Sequence, residues 1–101
     1  MDNKKIRKKV KETLIEAASH FRKDQIEAYR KAIDNEENDN ACWILKNLLD
    51  NALVAEESKS PLCDDTGIPH VILELSPDRK ISNEFITAIE GGVADGLREL
   101  P

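Results

Sequence analysis

The stretch ACWILKNLLDNALVAEESKSPLCDDTGIP, residues 41–69, divides the chain in two. Over residues 41–57 the apolar Ile44, Leu45, Leu48, Leu49, Ala52, Leu53 and Ala55 recur at three- and four-residue steps and cover more than one face, which predicts a helix at the centre of the fold. Asp39 or Asn40 is placed to cap it. Pro61 ends helical geometry, because proline has no backbone N–H and its ring crowds the preceding turn. Gly67 and Pro69 bracket a segment that cannot be regular, so residues 58–69 read as a long connection, and connections of that length inside a compact domain are often functional.

Upstream, Ile6, Val10, Leu14, Ala17 and Phe21 are spaced by three and four, with Lys4, Lys5, Lys8, Lys9, Lys11 and Glu12 between them. That is an amphipathic helix, capped by Asp2 or Asn3. A second apolar stripe, Ile26, Tyr29, Ala32 and Ile33, follows Asp24 as its expected cap and fades into the acidic, Asn-rich residues 34–40, which read as a solvated loop. Downstream, residues 71–75 alternate as a short strand, with Val71, Leu73 and Leu75 on one face, closed by a Ser76-Pro77-Asp78 turn. A lone strand is marginal and needs a partner from elsewhere. From Ser82, a good cap, Phe85, Ile89, Val93, Leu97 and Leu100 define a last helix, inside which Gly91 and Gly92 mark either a break or a close approach by another backbone. The expected fold class is therefore mainly α (α+β): three N-terminal helices, a motif loop, one short strand or hairpin and a C-terminal helix.

The 101 residues are 40% hydrophobic and 35% charged, which bounds the chain to one modest core with little area for a large internal site. No apolar run reaches the roughly 18 residues that span a bilayer, and the basic residues 1–11 are not followed by a signal-peptide core, so a cytoplasmic protein is expected. A net charge of −5 and a pI near 5.0 argue against nucleic acid as a partner. The basic cluster at residues 4–11 has no interleaved aromatic ring and is countered by Glu12, Glu16 and the acidic loop, so it reads as a solvated face rather than a nucleic-acid or membrane site. Two cysteines are too few for a disulfide framework.

The chemistry concentrates in PLCDDTGIP, residues 61–69, where one thiol, two carboxylates and a hydroxyl follow one another at Cys63, Asp64, Asp65 and Thr66. A thiolate can hold a soft metal or an iron–sulfur cluster, and the adjacent carboxylates and hydroxyl can hold or exchange protons with a polar substrate. On residue types alone, an ordinary Asp-Asp-Thr-Gly turn with an incidental cysteine is the commoner reading. Cys42, beside Trp43 and Ile44, reads as a buried small apolar residue. His20 falls at the end of the first helix, near its negative dipole end, and His70 at the start of the strand, facing solvent or a polar rim. Cys42, Cys63, His20 and His70 lack the short paired spacings of a structural zinc site.

The nine residues 61–69 resemble the Pro-Leu-Cys-Gln-Asp-Thr-Gly-Ile-Pro motif of the class I fumarase and tartrate dehydratase alpha-type iron–sulfur hydro-lyases, and the flanks at residues 51–57 and 92–101 are similar too. The likeness runs from about Leu14 onward and implies that residues 1–101 are an N-terminal fragment of such a catalytic domain. It implies a [4Fe–4S] cluster held by three cysteines, with the fourth iron acting as a Lewis acid on a hydroxy dicarboxylate to which water is added or from which it is eliminated. Cys63 would be the first cluster ligand, Asp65 the catalytic proton-transfer or substrate-binding carboxylate, and Asp64 and Thr66 further substrate contacts.

The sequence departs from the family at three points. Asp64 puts a charge where the family has an amide, which disfavours a dicarboxylate at close range unless a cation or proton compensates. The two other cluster cysteines of the family lie C-terminal to the motif, and Cys42 is upstream. The family's carboxylate-binding Leu-Arg would follow Leu100-Pro101, and Arg98 does not align with it. The resemblance thus implies a fragment inactive alone, completed by the C-terminal remainder of the alpha subunit and a beta-type subunit or domain. The rival reading is a non-catalytic helical module or decayed fragment that self-associates, as a homodimer, through an exposed core face.

Overall fold

The computed structural model describes residues 2–63 and 67–100. Four helices are present among them: α1 (Asn3–Ser19), α2 (Lys23–Asn35), α3 (Asp39–Ser58) and α4 (Asn83–Glu99). The chain forms two compact units, Met1–Glu16 with Asp65–Pro101, and Ala17–Asp64. The mainly α reading holds, with every expected helix formed. No described helix is long and apolar enough to cross a membrane.

In the first unit α1 starts where Asp2 accepts the Lys4 amide on Oδ1 at 2.8 Å, leaving one fewer orphan N–H in the first turn. Its stripe meets α4 side by side and in the same direction, since Arg7 and Lys11 reach Asp95 and Glu99 in that order. Ile6, Ala88 and Ile89 are buried at this seam, with Val10 and Phe85 packed against them. The expected α4 stripe is rotated: its buried residues are Ala88, Ile89, Gly92 and Gly96, and Leu97 is exposed. α4 is unbroken at its glycines. An added Cβ at Gly92 would lie 2.5 Å from the Arg7 carbonyl oxygen and 2.7 Å from Val10 Cβ, so the close approach is real. Arg7 forks onto Asp95 at 2.6 and 2.9 Å, and Arg98 adds a bond to the same carboxylate at 3.3 Å.

The strand expected at residues 71–75 is not formed among the described residues. The alternation survives only as one-sided cover: Val71, Leu73 and Leu75 are 50%, 42% and 40% exposed, against 91% for Ile72. Among the described residues no neighbouring strand supplies the N–H and C=O partners that would turn this pattern into a ladder. The turn after it is present, closed by Arg79 N–H donating to Ser76 O at 3.0 Å.

In the second unit α2 and α3 pack as an antiparallel pair across a three-residue connection. The caps differ from the sequence reading. Asn38, not Asp39 or Asn40, caps α3 by accepting the Ala41 amide at 3.0 Å. Residue 22 precedes α2, and Asp24 lies inside the first turn, paired with Arg22. Phe21 stacks on Tyr29 with ring centroids 5.3 Å apart. α3 buries Leu49, Ala52 and Ala55, while Trp43, Ile44, Leu48, Leu53 and Val54 stay exposed, so its apolar surface exceeds what this unit covers.

Two outcomes follow from the α1–α4 seam. Gly92→Ala is expected to destabilise the chain by about 1–3 kcal/mol in urea melts, although alanine is about 1 kcal/mol the better helix former. Gly91→Ala, whose Cβ meets only the movable Arg7 guanidinium, should be near neutral. The Arg7 hydrogen bonds hold the Asp95 carboxyl below the usual carboxylate range. Because the folded pKa is depressed, the contribution is present above the unfolded value and is lost as pH falls through the folded one. Asp95→Asn should therefore lower the urea midpoint at neutral pH, and the gap should close in acid.

Candidate active-site loop

α3 cannot continue toward Pro61, and its end is a Schellman reversal. Lys59 takes the left-handed conformation at φ 54°, its N–H donates to Glu56 O at 3.4 Å, and the Ser60 N–H donates to Ala55 O at 3.0 Å. The chain then runs back along α3. Asn51 lies seven residues before the helix end, about 10 Å along the axis at 1.5 Å per residue, a distance that three extended residues cover. Leu62 is thereby held on both of its backbone polar groups: its N–H donates to Ala18 O at 2.8 Å, and its carbonyl accepts from Asn51 Nδ2 at 2.9 Å.

Cys63 comes next, exposed and with a free thiol. Asp64, Asp65 and Thr66, the expected substrate and catalytic residues, lie outside the described residues. Gly67 resumes the described chain at φ 74°, a left-handed conformation that a side chain would strain. His70 is exposed, as expected for a solvent-facing position.

Beside the loop, Ser19 is fully buried and shares a 2.8 Å hydrogen bond with His20 Nδ1, while His20 Nε2 stands 3.8 Å from Glu56 Oε1. These are the residue types of a hydrolase triad, but no substrate can reach a hydroxyl with no exposed surface. Cys42 is half-buried rather than fully enclosed, with its thiol 3.8 Å from Ile33 O inside the α2–α3 pair. Among the described residues, no three His, Cys, Asp or Glu side chains converge as a metal-holding group. An iron–sulfur cluster takes cysteine thiolates, and Cys63 has the right donor, unpaired and outside the packed interior; it fits one such ligand.

The profile of the fumarate hydratase (Fumerase) family matches residues 7–101. The chain belongs to the fumarate hydratase family. It is 33% identical over 99 residues to a Methanocaldococcus jannaschii protein that carries the name of an L(+)-tartrate dehydratase subunit alpha, covering 96% of this chain and 35% of that relative. Over 53 residues it is 43% identical to "Fumarate hydratase 2" of Leishmania major, covering 52% of this chain and 9% of the relative. The chain thus spans about a third of the length of the first relative and under a tenth of the second. No solved structure matches it.

The two groups that hold Leu62 in this fumarate hydratase family member, the Asn51 amide and the Ala18 carbonyl, are not marked as a site by the sequence. An asparagine about three turns before a helix-stopping proline is the only trace of it in the sequence, and Asn47 on the same helix shows that the residue type alone does not single it out.

The two thiols should separate chemically. With a thiol-specific alkylating reagent, one equivalent is expected to react fast and one slowly, and peptide mass spectrometry should place the fast one at Cys63. Equal rates in the native chain, rather than only in urea, would contradict the placement.

Proposed function

We propose that the chain is the N-terminal portion of an alpha-type [4Fe–4S] hydro-lyase that adds or eliminates water on a hydroxy dicarboxylate, as a fumarate hydratase or tartrate dehydratase does. The observation that carries this reading is a free, exposed Cys63 just past α3, inside the motif at residues 61–69 and within the family match over residues 7–101. When bound, the cluster supplies a Lewis-acidic iron with an open position for the substrate hydroxyl.

The chain's own residues have separable tasks in this reading. Cys63, as thiolate, is one of three cysteine ligands. Asp65 binds the substrate or moves its proton, a role that a carboxylate fills when its pKa is set by its neighbours. Asp64 and Thr66 contact the substrate, and the charge of Asp64 calls for a compensating cation from outside this chain when a dicarboxylate arrives. Residues 1–101 form the N-terminal fragment of the catalytic domain. The other two cysteines and the compensating cation come from the C-terminal remainder of the alpha chain, and a beta-type subunit or domain completes the site, in line with the subunit name of the archaeal relative. Two free cysteines suit a reducing, cytoplasmic setting.

Anaerobic purification of the chain with its C-terminal complement should give bound iron and sulfide, and Cys63→Ser should lose most of both with helicity unchanged. Asp65→Asn should keep the iron and lower turnover by about 10²–10⁴-fold. Reconstitution of the 101-residue chain alone should yield no stable, active cluster. A stable cluster with hydratase activity on that chain would overturn the composite site.

A further inference from the structure

The Leu62 peptide links α1, α3 and the thiol. Its N–H is fixed by the Ala18 carbonyl at the end of α1, and its carbonyl by the Asn51 amide on α3. These two bonds point to different helices, so they remove both rotation and translation of the residue that immediately precedes Cys63. The Schellman reversal and Pro61 restrict the approach from the other side, through Lys59, Ser60 and the fixed φ of proline. The neighbouring Asn47 offers a contrast on the same helix: its amide donates to Trp43 O, one turn back within α3.

We propose that Asn51 is a positioning residue for Cys63, holding the Leu62 carbonyl so that the thiol leaves the fold from a pinned backbone. The inference rests on the reading of Cys63 as a cluster ligand, and it adds a residue that the motif itself does not contain. A cluster ligand presented from a fixed peptide loses less freedom on binding than one on a loose loop, which favours loading at a given iron supply. The amide is suited to the task because it donates a hydrogen bond without bringing a charge.

The test uses the full chain in a Cys42→Ala background, with a nitroxide probe on Cys63. In Asn51→Ala the Leu62 carbonyl loses its donor while the Leu62 N–H keeps the Ala18 carbonyl, so the loosened segment should open more often: the Leu62 amide should exchange about tenfold faster, and the probe spectrum should narrow. Amides of Leu49 and Ala52 should keep their protection. Asn51→Asp, isosteric but without an N–H at neutral pH, should give the same release. Asn47→Ala should change neither readout. Alanine is the better helix former at this exposed position, so α3 is kept. An unchanged probe spectrum in both Asn51 variants overturns the proposal, whether or not Leu62 exchange rises. Iron uptake with the C-terminal complement keeps the two ideas apart. Failure of the unlabelled wild-type chain to load, with the probe released as expected, sinks the cluster reading and leaves the positioning role. Equal loading of wild type and Asn51→Ala sinks the positioning role and leaves the cluster reading.

Discussion

The missing N–H of Pro61 is the constraint on which the site depends. A helix cannot run through a proline without losing a hydrogen bond and clashing with the preceding turn, so α3 must end before it. It ends by the reversal that costs least in hydrogen bonds: Lys59 enters the left-handed region, and two of the last carbonyls find donors at once. Reversal sends Leu62 back alongside Asn51, and the Leu62 peptide finds both of its partners there. Cys63 then has nowhere to go but outward. The exposure of the thiol is a consequence of how the preceding helix stops, not of any property of the thiol itself.

The first unit depends on a different economy of space. Gly92 lets the α4 backbone come against the Arg7 carbonyl, and this closeness brings Arg7 within forked reach of Asp95 and Lys11 within reach of Glu99. Apolar burial at the seam is small, with Ile6, Ala88 and Ile89 as its enclosed members. Close backbone contact and charge pairing therefore carry a larger share of the packing here than in a domain with a full core.

The helices were legible because their apolar spacing is strong and local. Boundaries slipped by a residue or two where residues 34–40 offer several Asn and Asp caps, since side-chain type cannot choose among them and backbone angles can. The α4 face was misjudged because a glycine seam carries no hydrophobic signal; counting Val93 and Leu97 turned the stripe away from Gly92 and Gly96. Residues 71–75 read as a strand because alternation describes a surface, whereas a ladder needs a second strand, and none is formed among the described residues. The motif at residues 61–69 was legible by resemblance to its family, which the profile match bears out. The hold on Leu62 was not, because it joins residues 18, 51 and 62, which sequence proximity never brings together.

The segment after Gly67, which forms no regular structure, is rich in exposed apolar residues. Ile68, Val71, Ile72, Leu73 and Leu75 stand exposed on backbone that makes no hydrogen bond among the described residues. Such a run is a template onto which another strand can be laid, and nothing in its chemistry distinguishes a rightful complement from an identical copy. Pro69, Glu74 and Pro77 interrupt it as gatekeepers, shortening the length that copies can zip together. Pairing between copies is bimolecular, so its extent rises with the concentration of this polypeptide.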